Sequence, residues 1–111
     1  MKRYCQTLKL YNDEELIRQY IAAHKEVWTE IKEGIRQVGI VDMQIYILEN
    51  ILFMIMDTLD EFDWENSNAL LATLPRQKEW EELMSKFQVS VKGQASHEKW
   101  RLMSKIFGLN E

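Results

Sequence analysis

Residues 51–56 read Ile-Leu-Phe-Met-Ile-Met, apolar at every position. Such a run is far too short to span a bilayer, and it reads as a strand with two apolar faces. Just before it, Val41, Met43, Ile45 and Ile47 alternate with Asp42, Gln44 and Tyr46, the period-2 pattern of a half-buried strand. Glu49-Asn50 predicts a tight turn between the two, and the pair predicts a hairpin near the centre of a sheet. The rest of the chain must then cover both faces of the second strand.

The flanking segments supply elements for one face. Tyr4 to Leu10 alternates loosely and reads as another strand, ending in the turn-prone Tyr11-Asn12-Asp13. Asn12 is read as the N-cap of a helix, with Glu15 completing a capping box and Asp13 and Glu14 at the positive helix end. Periodicity carries that helix to about Gln37, and Gly39 is its stop. Asp60 is read as the cap of a second helix holding Phe62, Trp64, Leu70, Leu71 and Leu74. Pro75 interrupts it and suits the first turn of a short helix carrying Trp80, Leu83, Met84 and Phe87. Ser90 to Ser96 reads as a polar loop and Trp100 to Leu109 as a last strand. The order is βαββαβ, a ferredoxin-like α+β arrangement in a single domain over residues 1–111. Helices on one side leave the other side of the sheet open. A partner subunit's sheet is the simplest cover, so a homodimer is expected.

Composition narrows the function classes. An apolar fraction of 46% and four tryptophans argue against disorder. A net charge of −4 with no basic block makes nucleic acid and anionic membranes poor partners. Cys5, the single cysteine, has no intramolecular partner, and no signal-peptide core follows the N-terminus. The expectation is a soluble cytoplasmic domain.

The candidate chemistry lies on the first helix. Ile17, Tyr20, Ile21, His24, Trp28, Ile31 and Ile35 fall within about one quarter of a helix circumference. Tyr20, His24 and Trp28 thus form a ladder at i, i+4 and i+8. A phenol donates hydrogen bonds while neutral, and an imidazole exchanges protons at physiological pH. Trp28 and Trp80 offer flat apolar surfaces, so the group resembles a small polyol site. The plain alternative is a core histidine bonded to a backbone carbonyl among packing aromatics. Glu26, Glu30 and Glu33 read as a solvated face with Lys25 and Lys32. His97 falls in a polar stretch beside Glu98 and Lys99. There is no Gly-rich phosphate loop, no metal-ligand cluster and no Ser or Cys nucleophile motif, so neither cofactor nor metal is expected.

These residues, with their order and spacing, carry a family resemblance over most of the chain. The matching elements are the opening strand, Tyr20-x3-His24-x3-Trp28-x-Glu30, and Gly39 followed by the strand with Tyr46. They continue with Leu52-Phe53, Trp64, Trp80-x3-Met84 and Phe107. In these the chain resembles the L-rhamnose mutarotase family. The resemblance implies a dimeric α+β barrel that interconverts α and β anomers of a 6-deoxy-L-sugar without a cofactor, an aldose 1-epimerase type of reaction. It implies His24 as proton donor and Tyr20 as substrate binder; in acid–base ring opening His24 is expected to donate to the ring oxygen, with Tyr20 orienting a hydroxyl or relaying the proton. Trp80 matches the first member of the family's tandem aromatic pair, and Glu81 stands at the second. Met43 stands where the family carries a substrate-binding tyrosine, and Tyr46 is expected on the opposite face of that strand. L-Rhamnose is the first expected substrate and L-fucose the second. A non-catalytic small-molecule-binding or assembly module, and a cofactor-free oxygenase-like protein of the same barrel group, are the alternatives.

Overall fold

The computed structural model describes residues 1–111. Strand β1 (Lys2–Lys9) is followed by helices α1 (Glu14–Ala23) and α2 (Thr29–Gln37), then strands β2 (Ile40–Leu48) and β3 (Ile51–Thr58). Helices α3 (Trp64–Thr73), α4 (Gln77–Ser85) and the short α5 (Ser96–Lys99) lead to β4 (Arg101–Leu102). The sheet order is β2-β3-β1-β4 with every neighbouring pair antiparallel, as the ferredoxin-like reading requires.

The hairpin forms as expected. Glu49 takes a left-handed φ of 56° at the turn, and Asn50 ties it to the end of β1 by donating from Nδ2 to the Leu10 carbonyl over 3.1 Å. Its place in the sheet is corrected, because β2 is an edge strand and β1 shares the centre with β3. Along β3, Leu52, Met54, Met56 and Thr58 are buried, whereas Phe53 and Ile55 on the other face are only partly covered. Helices pack on the first face, where Leu8, Leu10, Tyr20, Ile31, Trp80, Met84 and Trp100 join the core.

The single long first helix is also corrected. Two helices stand in its place, broken between His24 and Trp28. Neither glycine nor proline causes the break. Val27, Trp28 and Thr29 are β-branched or aromatic and poor helix formers. Tertiary contacts then decide: Trp28 packs edge-on to Trp80 with centroids 5.1 Å apart, and the Arg76 guanidinium lies 4.0 Å above its ring. Asp13, not Asn12, caps α1 by accepting from the Leu16 amide at 3.0 Å. Likewise Asp63, not Asp60, caps α3 by accepting from the Asn66 amide at 2.8 Å. Gly39, with φ of 98°, ends the run after α2 as expected.

The predicted last strand is much shorter than Trp100 to Leu109. Only Arg101 and Leu102 pair, with Thr7 and Gln6, and the Met103 amide adds one bond to the Cys5 carbonyl at 2.8 Å. Continuing that register would set Lys105 opposite Arg3, a like-charge pair that disfavours the ladder. The chain beyond runs unpaired, with Ile106, Phe107 and Leu109 exposed.

Candidate functional site

A cavity of about 420 Å³ opens between the helices and the sheet, within the range of small-molecule sites. Tyr20, His24, Met43, Trp80 and Glu81 all line it. One end of α1 supplies Tyr20 and His24, edge strand β2 supplies Met43, and consecutive positions on α4 supply Trp80 and Glu81. Ile31 and Ile35 of α2 and Met54 of β3 add apolar wall.

Trp28 is not on this wall. The helix break swings it behind Trp80, where it buttresses the second tryptophan from outside the cavity. Tyr46 lies on the far side of the sheet and is 56% exposed, as strand alternation predicts. His97 does reach the cavity, with Nε2 3.7 Å from a Glu65 carboxylate oxygen and its ring edge-on to Trp64.

His24 caps the C-terminal end of α1, and its ring Nδ1 lies 2.8 Å from the Tyr20 carbonyl oxygen. A carbonyl only accepts, so Nδ1 carries the hydrogen and Nε2 is the nitrogen free for a ligand. The carbonyl-bonded core histidine and the cavity histidine are therefore the same residue. The imidazole packs against Tyr20 at 4.4 Å and edge-on to Trp80 at 5.6 Å. Burial holds its pKa below the ordinary histidine value, partly offset by the bond to the Tyr20 carbonyl, which favours the charged ring. At neutral pH the imidazole rests neutral with a basic Nε2.

Tyr20 is only 3% exposed. Burial pushes its hydroxyl up to about 12, with the Glu81 charge acting in the same direction and a hydrogen bond from Gln88 opposing both. It stays a neutral phenol across the physiological range.

The polar groups that sequence reasoning missed lie behind Tyr20 and Glu81. The Lys99 side chain is fully buried and pairs with the Glu81 carboxylate at 2.6 Å. Its Nζ also donates to Gln88 Oε1 at 2.9 Å and to Ser85 Oγ at 3.2 Å. Nothing local marks Lys99 as internal, because Glu98 and Arg101 make the stretch read as surface. No group of three or more His, Cys, Asp or Glu side chains is arranged to hold a metal ion.

The sequence profile of the L-rhamnose mutarotase family matches residues 3–109. The chain belongs to this family. Among relatives, an L-fucose mutarotase of Xanthomonas campestris pv. campestris is 38% identical over 113 residues, covering 100% of this chain and 90% of the relative. A UPF0734 protein of Dictyostelium discoideum is 40% identical over 91 residues, covering 81% and 73%. Among solved structures, an L-rhamnose mutarotase from Formosa agariphila superposes with a TM-score of 0.70 at 19% identity, covering 98% of this chain and 99% of that one. A dimeric ferredoxin-like protein from an uncultured marine organism gives 0.56 at 12% identity, covering 95% and 89%. At those identities the two structures speak to fold alone. They match the ferredoxin-like α+β topology described above. Membership places the chain among sugar mutarotases, which are isomerases.

Proposed function

We propose that this protein interconverts the α and β anomers of a 6-deoxy-L-hexose by acid–base ring opening, in the manner of an aldose 1-epimerase. The observation that carries the reading is the pairing, in one cavity, of a neutral histidine whose Nε2 is free with a neutral tyrosine hydroxyl. Nε2 of His24 takes the proton of the anomeric hydroxyl. The ring C–O bond breaks as the carbonyl forms, and the imidazolium so produced gives its proton to the ring oxygen. The aldehyde rotates and closes on its other face by the reverse steps, leaving His24 neutral. His24 thus acts as the family's proton donor in the second half of the exchange, after accepting in the first. Tyr20 donates a hydrogen bond where negative charge gathers on the ring oxygen. Trp80 offers its face to the C–H side of the sugar, while Met43 and Glu81 shape the remaining wall.

The 38% identity to an L-fucose mutarotase, with Met43 and Glu81 at the two positions expected to be aromatic, favours L-fucose over L-rhamnose. No helix is long and apolar enough to cross a membrane. The single unpaired Cys5 fits a reducing compartment, the cytoplasm. The outer sheet face supports a homodimer: Cys5, Phe53, Ile55 and Tyr46 adjoin there through the strand register.

Saturation-transfer NMR on L-fucose and L-rhamnose tests the reaction. Anomeric exchange should accelerate with wild-type protein and stay at the uncatalysed rate with His24→Ala. Wild-type protein that accelerates neither sugar would overturn the reading for these substrates and turn attention to a non-catalytic binding role.

A further inference from the structure

Gln88 stands between a buried cation and the Tyr20 hydroxyl, and that placement has a directional consequence. The Lys99 ammonium has three hydrogens and no lone pair, so the Gln88 atom 2.9 Å from it must be the amide oxygen. The Gln88 NH₂ group therefore faces the other way, with Nε2 3.4 Å from the Tyr20 hydroxyl oxygen. An amide nitrogen only donates, so the phenol oxygen is the acceptor. Tyr20 makes no other side-chain hydrogen bond, and both Tyr20 and Gln88 line the cavity. Its O–H hydrogen is left to point at whatever occupies that space.

Lys99 itself is held in one orientation. Its side chain is fully buried, with Glu81 Oε2 at 2.6 Å, Ser85 Oγ at 3.2 Å and the Glu81 carbonyl oxygen at 3.4 Å sharing the remaining hydrogens. Turning the amide around would set its N–H hydrogens against those of Nζ, so the oxygen stays toward Lys99. The main chain of Gln88 is fixed as well, by a bridge to Leu10 and a bond from its amide to the Met84 carbonyl at 3.2 Å.

We propose that Lys99, acting through Gln88, is a positioning residue that makes Tyr20 a one-way hydrogen-bond donor into the cavity. The site then selects a ligand oxygen able to accept there. On the mutarotase reading, on which the identity of the ligand rests, that atom is the ring oxygen of the pyranose. A ring oxygen has lone pairs and no hydrogen, so a tyrosine free to accept as readily as donate would favour the sugar's many hydroxyls instead. Fixing the phenol as donor distinguishes the one ether oxygen from its neighbours and aims the hydrogen bond at the atom that becomes charged.

Gln88→Glu tests this with almost no change in shape. A carboxylate accepts from both Lys99 and the Tyr20 hydroxyl, which turns the phenol hydrogen away from the cavity. In that variant the Tyr20 hydroxyl proton should appear as a slowly exchanging downfield NMR resonance, absent from wild type and from the double variant with Tyr20→Phe. This readout needs no activity, so it stands even where wild-type protein exchanges no sugar. Where exchange is present, Gln88→Glu should lower kcat/KM about tenfold or more, and Tyr20→Phe by a similar factor. The double variant should be no worse than Tyr20→Phe alone. Should Gln88→Glu unfold, Gln88→Met removes the donating amide, and its loss must likewise vanish in the Tyr20→Phe background. A folded Gln88→Glu protein with no new hydroxyl resonance overturns the proposal, as do losses that multiply in the double variant. Absence of exchange in wild type alone overturns the mutarotase reading instead.

Discussion

The ring of His24 is hydrogen-bonded to the carbonyl of Tyr20 one helical turn before it, across 2.8 Å. The main chain of one candidate site residue thereby sets the tautomer of the other, and both residues line the same cavity. Burial keeps the folded-state pKa of His24 below the unfolded value near 6.5. On the proposed mechanism neutral imidazole is the working form, so exchange should persist as pH falls below about 6.5 and drop only at the lower folded-state pKa. On acidification the unfolded chain takes up this proton first. The His24 contribution to stability is thus fully present above about pH 6.5 and is lost as pH falls toward the folded pKa. Activity against pH and thermal unfolding against pH should show both trends, and His24→Ala should flatten the second. At neutral pH His24→Ala should slow exchange by about 10²- to 10⁴-fold, the usual scale of acid–base assistance.

Trp28 and Trp80 should separate by function. Trp28→Leu removes an edge-on aromatic contact and a cation–π contact with Arg76, together about 1–2 kcal/mol of stability. Because Trp28 lies outside the cavity, KM should move little. Trp80→Leu strips apolar wall from the cavity and should raise KM severalfold. Denaturant titration paired with sugar kinetics on the two variants checks the division. A larger KM effect from Trp28→Leu would contradict it.

Gly34 is a packing requirement between α2 and α4. A Cβ there would stand 2.5 Å from Nε2 of the buried Gln77, which donates to the Ile31 carbonyl at 3.2 Å. Alanine gains about 1 kcal/mol in helix propensity. Overpacking and a displaced buried amide cost about 1–3 kcal/mol each. Gly34→Ala should therefore be net destabilising by about 1–5 kcal/mol, read as a lower urea midpoint at unchanged m-value.

Much of the fold was legible because the sheet face is written in alternation. The hairpin, the Gly39 stop, the split around Pro75 and the βαββαβ order all follow from local pattern. The break after His24 was not legible, since periodicity continues through it and only the distant Trp80 and Arg76 draw Trp28 out of line. Spacing and resemblance point to Tyr20, His24, Met43, Trp80 and Glu81 as candidates, and the structure brings these five to one cavity. Gln88 and Lys99 escaped because their significance lies in which atom faces which, a property no local pattern encodes.

The outer sheet face gives a prediction about assembly. Ile55 lies between Cys5 on β1 and Gln44 on β2, next to Phe53, with the Arg3–Asp57 ion pair beyond. If this face is the subunit contact, Ile55→Lys places a charge in it and should convert a dimer into a monomer. Sedimentation velocity reads the outcome directly. A wild-type protein that sediments as a monomer at every concentration would remove the dimer from the proposal.

The interruption between α1 and α2 also bears on how such a protein can change its diet. In one continuous helix, the imidazole and the isoleucines of the cavity wall would share a single rotation, and adjusting either by one residue would turn the other through about 100°. With the chain released at His24 and restarted at Trp28, Ile31 and Ile35 answer to α2 and its contacts with α4 and β2, not to the rotation of α1. The proton-transfer geometry and the shape of the cup are then separately adjustable. On the proposed mechanism, drift in one helix can refit the cup to a different sugar while the other keeps Tyr20 and His24 in place.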